Sequence, residues 1–368
     1  MLLHGYVGLR LMPSLAGWCG PALGVLLATS AMLLPLSLVG RNLRWPGART
    51  ALVWSGMLAM GLFSSLFVLT VLRDALLLAS AAWVALWPGA LAPEWIAQAT
   101  AWAVLASAAT ATVLGAWNAR RTAAVVRVDV PVTDLPQALH GFTIAQISDI
   151  HVGPTIRGGY LQAIVDRVNR LEADMVAVTG DLVDGSVAEL AGHVAPLAAL
   201  RSRHGTFFVT GNHEYYSGAQ AWITELRRLD VRVLLNEHVV LRHDGSEVVV
   251  AGITDHSAHH FDIGQRSDPQ ASVHGAPLGA ALRLLLAHQP RSAMSALGLG
   301  FHLQLSGHTH GGQFWPWNLF VRLQQPFTAG LHRMRDLWIY TSRGTGYWGP
   351  PKRFGAPSEI TCLRMVQA

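Results

Sequence analysis

Two histidines stand one residue apart in Ser306-Gly-His308-Thr-His310, behind a glycine and at the end of the apolar run 301–305. Comparable polar residues close four other strand-like runs: Asp149 and His151 after 142–148, Asp181 after 175–179, Asn212 and His213 after 206–210, and His288 after 283–287. The set contains imidazole, carboxylate and one carboxamide but no thiolate, a donor mixture that suits divalent Mn, Fe or Zn rather than Cu(I) or an Fe–S cluster. One carboxylate placed between two halves of such a set can bridge two ions. A single histidine after a strand is ordinarily a satisfied polar residue, whereas five strand ends repeating the pattern point to one shared chemistry. Gly180, Gly211 and Gly307 each immediately precede a candidate, where a chain leaving a strand turns sharply and an ion must approach the backbone.

For residues scattered over 160 positions to meet, they must lie at the carboxyl ends of neighbouring strands, where open α/β sheets bind ligands. The chain supplies that alternation. Val125–Val130 alternates as a strand, Pro131 and Pro136 punctuate a loop, and 142–148 reads as a buried strand. Helical patterns at 158–171, 187–201 and 218–229 separate strands at 175–179, 206–210, 231–235 and 246–253, which predicts an α/β domain. Short strands at 283–287, 301–305 and 337–342 make the second half β-rich.

Asp149-x-His151, Gly180-Asp181-x-x-Asp184, Gly211-Asn212-His213-Glu214, His288 and Gly307-His308-x-His310 resemble, in order, the five blocks of the calcineurin-like metallophosphoesterase family. The resemblance covers about 142–363. "AHQP", "LSGHTHGGQF" and "GTGYWGPPKRFGAPSEIT" are similar to a bacterial branch of membrane-attached phosphodiesterases. It implies a β-sandwich flanked by helices (a four-layer αββα domain) over 125–368 and two divalent ions, manganese favoured. Asp149, His151, Asp181 and His310 would hold one ion, and Asp181, Asn212, His288 and His308 the other, with Asp181 as the bridge. The two imidazoles of 306–310 would then each serve a different ion. The resemblance further implies a metal-bound hydroxide as nucleophile. His213 becomes the candidate for protonating the leaving group, with Asp184 and Glu214 as carboxylates that orient the imidazoles.

The first third is built differently. The chain is 51% hydrophobic and only 13% charged, against about 25% for soluble domains. Residues 1–124 hold seven arginines against Asp74 and Glu94, whereas 125–368 hold 20 basic and 20 acidic side chains. Apolar stretches at 15–40, 51–72, 75–92 and 95–117 approach the roughly 20 residues that cross a bilayer, which predicts four transmembrane helices over 1–124 and a multi-pass membrane location. A signal peptide has one short apolar region and does not repeat. Four spans gather Arg10, Arg73, Arg120, Arg121 and Arg127 on one side and Arg41, Arg44 and Arg49 on the other, which favours a cytoplasmic polar domain. The third span is the weakest, since Arg73-Asp74 opens it and Pro88 and Pro93 bracket its end, and losing it would put the polar domain outside; Asp74 reads as an ion pair at the membrane surface.

Other chemistries find less support. The neutral polar portion carries no basic stripe, which argues against nucleic acid as a partner. Gly344-Thr-Gly346-Tyr-Trp-Gly349 matches a dinucleotide fingerprint, but Pro350-Pro351 follows where that motif needs a helix. There is no GxSxG for a serine hydrolase. Cys19 and Cys362 form neither a disulfide framework nor a CxxC site. The expected activity is hydrolysis of a phosphodiester or pyrophosphate bond in a lipid-linked or nucleotide-sugar substrate such as UDP-2,3-diacylglucosamine, with membrane lipid as the other partner. The alternatives are a phosphomonoesterase or phosphoprotein phosphatase, and a membrane sensor or transporter regulated by the polar domain.

Overall fold

The computed structural model describes residues 1–40, 45–87 and 93–368. The chain forms two compact units, Met1–Arg120 with Gly349–Phe354, and Arg121–Trp348 with Gly355–Ala368.

The first unit is helical: α1 (Leu2–Leu11), α2 (Cys19–Val39), α3 (Pro46–Leu86) and α4 (Pro93–Arg120). Among the described residues three helices, α2, α3 and α4, are long and apolar enough to cross a membrane. The count differs from the four spans predicted because 51–72 and the start of 75–92 run on as one 41-residue helix. At 1.5 Å per residue α3 is about 60 Å long, twice a hydrocarbon core. Arg41, Arg44, Pro88 and the end of the third predicted span lie outside the described residues.

The pair Arg73-Asp74 reads as a break in sequence, yet no glycine or proline lies near it to stop helix propagation. Its charges are absorbed by neighbours within the unit. Arg73 is buried and donates to the Arg10 and Ala97 carbonyls (2.9 Å each), to Ser14 Oγ (2.8 Å) and to Thr100 Oγ1 (3.1 Å). Asp74 accepts from Tyr6 Oη at 2.7 Å and Arg10 Nε at 2.8 Å. The segment Gly349–Phe354 also packs among these helices, where Lys352 Nζ donates to Gly61 O at 2.8 Å and Ser65 Oγ at 2.6 Å. Gly115 admits the lysine stem, since a Cβ there would come within 2.6 Å of Lys352 Cγ.

The second unit is a sandwich of two six-stranded mixed sheets. The strands are β1 (Ala124–Val132), β2 (Thr143–Ile147), β3 (Met175–Val178), β4 (Thr206–Phe208), β5 (Arg232–Val233), β6 (Glu237–His243), β7 (Ser246–Gly252), β8 (Leu282–Leu286), β9 (Leu303–Ser306), β10 (Gly330–Met334), β11 (Leu337–Thr341) and β12 (Glu359–Gln367). One sheet runs β1-β12-β2-β3-β4-β5 and the other β10-β11-β9-β8-β7-β6. Their facing apolar positions, among them Ile144, Met175, Phe207, Val250, Leu284, Leu303 and Leu363, form one buried core. α5 (Gly158–Asn169) follows β2 and buries Leu161, Ile164, Val165 and Val168, the i, i+3, i+4, i+7 stripe of an amphipathic helix.

β2, β3 and β4 are parallel neighbours in one sheet, and β8 and β9 in the other. Five carboxyl ends therefore open onto the same two rims, one per sheet. The paired sheets with flanking helices are the α/β sandwich expected.

Candidate metal centre

Each strand end turns sharply into the site. Asp149, His151, Asp181, His308 and His310 all have positive φ, between 52° and 70°. A non-glycine residue in that region is uncommon and persists where surrounding structure holds it. The glycines make the turns feasible. At Gly180 (φ 83°) a Cβ would lie 2.6 Å from Gly211 N and 2.8 Å from His288 Nδ1, and at Gly307 it would overlap Ser148 Oγ and Asp149 Oδ2. Gly307→Ala is therefore expected to destabilise the fold by about 1–3 kcal/mol, the usual range for overpacking. Differential scanning fluorimetry with and without added metal should show a lower Tm and a smaller metal-induced rise; an unchanged Tm would contradict the close approach.

The side chains converge as three clusters of ligand atoms, each within 4.8 Å: Asp149, His151 and His310; Asp181, His288 and His308; and His151, Asp184 and His213. Asp181 joins the first two. Its Oδ2 lies 3.2 Å from His288 Nε2 and 3.8 Å from His151 Nε2. Asn212 Oδ1 lies 3.1 Å from His308 Nδ1, which completes the second cluster. All seven residues named from sequence as ligands thus come together, and His213, Asp184 and Glu214 lie beside them.

Hydrogen bonds fix which nitrogens face inward. His288 Nδ1 is 2.8 Å from the Thr179 carbonyl, which only accepts, so Nδ1 carries a proton and Nε2 is the nitrogen turned toward Asp181. His151 Nδ1 lies 3.0 Å from Asp184 Oδ1, leaving Nε2 facing His310 Nε2 at 3.0 Å. His288 Nε2 and His308 Nδ1 are likewise 3.2 Å apart. Acceptors gathered this closely around carboxylates require positive charge between them. Burial opposes a charge on His288, yet the Asp181 charge and hydrogen bond raise it well above the usual histidine range. The donor set fits a pair of divalent cations.

His213 sits at the edge of this arrangement, with Nδ1 2.6 Å from Asp184 Oδ1. Burial works against its charged form, but the bond to Asp184 and the charges of Asp181 and Asp184 push its pKa up to about 9. Asp184 is buried too; His151 and His213 nevertheless hold it well below the usual carboxylate range. Glu214 is fully enclosed and accepts the N–H groups of Gly211 (2.6 Å), Leu182 (2.8 Å) and Asp181 (2.9 Å), so it ties the loop after β3 to the loop after β4.

Some site residues carry no signal in sequence. Thr179 orients His288 through its main chain, and Thr345 N and Gly346 N donate to the carbonyls of Ser148 and Asp149. The glycine-rich segment 344–346 that mimics a dinucleotide motif is thus a brace for the first metal loop; at Gly346 a Cβ would overlap the Ile150 carbonyl. Trp348 packs edge-on to His213 at 5.6 Å. Arg343 pairs with buried Glu359. In the histidine-rich loop 255–262, Asp255 is buried and held by Gln289 Nε2 at 3.0 and 3.1 Å.

Comparison with known proteins agrees with this construction. The family described as Calcineurin-like phosphoesterase matches residues 142–312. An uncharacterized metallophosphoesterase of Aquifex aeolicus (strain VF5) is 30% identical over 257 residues, 69% of this chain and 96% of that protein. The chain belongs to the calcineurin-like metallophosphoesterase family. It is also 38% identical over 264 residues to a "Transmembrane protein with metallophosphoesterase domain" of Danio rerio and 41% identical over 268 residues to one of Bos taurus. These alignments cover 70% of this chain and 60% of each relative, so the chain spans less than two thirds of their length.

Proposed function

We propose that this chain is a membrane-attached two-metal phosphoesterase that hydrolyses a phosphodiester or pyrophosphate bond of a lipid-linked or nucleotide-sugar substrate, UDP-2,3-diacylglucosamine being one of that class. The observation that carries the reading is Asp181, whose one oxygen serves both ligand clusters. Asp149, His151, Asp181 and His310 would hold one cation, and Asp181, Asn212, His288 and His308 the other. Manganese suits this mixture of imidazole, carboxylate and carboxamide. Two such cations, when bound, supply Lewis-acid activation of water and neutralise the phosphoryl oxygens.

The chain's own residues do the rest. His213, charged and aligned by Asp184, donates a proton to the leaving-group oxygen. Asp184 bonds both His151 and His213, so it couples the orientation of a ligand to that of the acid. Glu214 keeps the β3 and β4 loops in register.

The arginines favour a cytoplasmic site. With three spans among the described residues, Arg49, Arg120, Arg121 and Arg127 fall on the side from which the chain enters the catalytic unit, while Arg10 falls on the other.

Purified protein with Mn²⁺ is expected to cleave bis(p-nitrophenyl) phosphate faster than p-nitrophenyl phosphate, and to lose both activities on chelation with recovery on adding metal back. Faster monoester cleavage would move the assignment to a phosphomonoesterase. Turnover insensitive to chelation would remove the two-metal reading.

A further inference from the structure

Five large apolar side chains stand in solvent within nine residues just beyond the metal loop: Trp315 (40% exposed), Trp317 (42%), Leu319 (64%), Phe320 (52%) and Leu323 (81%). Singly exposed apolar residues are ordinary on any surface, but a contiguous group marks an interaction site. No carboxylate occurs from 311 to 335, and Arg322 is the one charged residue between His310 and Arg333 apart from histidine.

The segment is held in place. Gln313 exchanges two hydrogen bonds with the Trp348 main chain (2.8 and 2.9 Å), and Gln325 Nε2 donates to Gln289 Oε1 at 3.1 Å. At Gly312 a Cβ would overlap the Asn318 backbone, which locks the segment against the end of the His308–His310 loop. Trp348, whose main chain Gln313 holds, packs on His213, so the segment is anchored beside the mouth of the metal site.

We infer that residues 315–323 insert into the bilayer interface and seat the catalytic unit on the membrane. The occupant follows from the chain itself. Among the described residues three helices are long and apolar enough to span a bilayer, and residues 121–123 separate the end of α4 from β1. So short a link carries the chain from the end of α4 into β1 without a spacer. Paired tryptophans with leucine, phenylalanine and one arginine are the composition that lies at headgroup depth. With a single positive charge, the seating is driven by apolar burial and persists at high salt. This deepens the proposal of a lipid-linked substrate, for which the phosphate would already lie at the height of the metal loop.

The test uses the whole chain as Cys19→Ser/Cys362→Ala protein in phosphatidylcholine nanodiscs, with a nitroxide on Leu323→Cys or Leu319→Cys and, as control, on Leu278→Cys, a site in the loop before β8 that is 95% exposed. In power-saturation EPR, labels at 319 and 323 should lose accessibility to a water-soluble Ni²⁺ chelate and gain accessibility to O₂ relative to 278, equally in low and high salt. Chelate accessibility equal to that at 278 overturns the inference. Dipolar broadening between labels that disappears when labelled protein is diluted with unlabelled protein assigns the patch to a second copy instead, and also overturns it. The readout needs no turnover, so it stands apart from the substrate assignment. That assignment is tested by Phe320→Ser/Leu323→Gln, which should keep hydrolysis of the soluble diester and lose that of a diester embedded in vesicles.

Discussion

Asp181→Ala is expected to lower phosphoester hydrolysis on the order of a thousandfold or more and to reduce bound metal from two equivalents to one or none. The size of the effect follows from the double duty of one oxygen, 3.2 Å from His288 Nε2 and 3.8 Å from His151 Nε2. Losing any other ligand leaves one cluster intact. Losing Asp181 removes negative charge from both, and leaves four imidazoles facing one another with Asp149 as the one carboxylate remaining in those two clusters. The remaining Asp181 bond, Oδ1 accepting His213 N at 2.9 Å, also ties the start of the helix at Asn212–Tyr216 to the metal loop, so the acid shifts along with the ligands. Inductively coupled plasma mass spectrometry on purified protein, together with diester kinetics, checks both parts. Two equivalents of metal with normal turnover would end the bridging assignment.

His213→Gln is expected to lower kcat by about 10²–10⁴-fold, the range for losing a positioned general acid, with metal content unchanged. The distinction from Asp181 is geometric. His213 points its Nδ1 at Asp184 and belongs to neither of the clusters that share Asp181. If His213 protonates the leaving group, the loss should shrink for substrates whose leaving group is already acidic. Comparing p-nitrophenyl diesters with alkyl diesters reads this directly. An equal loss on both would reassign His213 to holding the ground state, and loss of metal would make it a structural neighbour of Asn212.

Most of this centre was legible before any coordinates because it is written at strand ends. Period-two and buried apolar runs locate 142–148, 175–179, 206–210, 283–287 and 301–305, and a position just after such a run is the one feature the candidate ligands share in sequence. The resemblance added the division between two ions, which spacing alone left open. What escaped has physical causes. Thr179 and Gly346 act through main-chain groups, which a side-chain reading cannot rank. The strand at 359–367 lies beyond a proline-rich stretch and pairs with residues more than 200 positions away. In sequence the Arg73-Asp74 pair reads as the opening of a separate span. Its partners on other helices, Arg10, Ser14 and Thr100, neutralise it inside one continuous α3, and nothing local announces them.

β12 lies between β1 and β2, parallel to the first and antiparallel to the second. β1 and β2 are separated by ten residues in sequence, yet they never pair with each other. A nascent chain therefore cannot complete its first sheet as that sheet is synthesised. The gap must be kept open, against the attraction of two adjacent apolar edges, until residues 359–367 emerge and fill it. Assembly of the metal site is in this sense a late event of biosynthesis, because Thr345, which braces the Asp149 loop, is itself held by the main chain of Glu359.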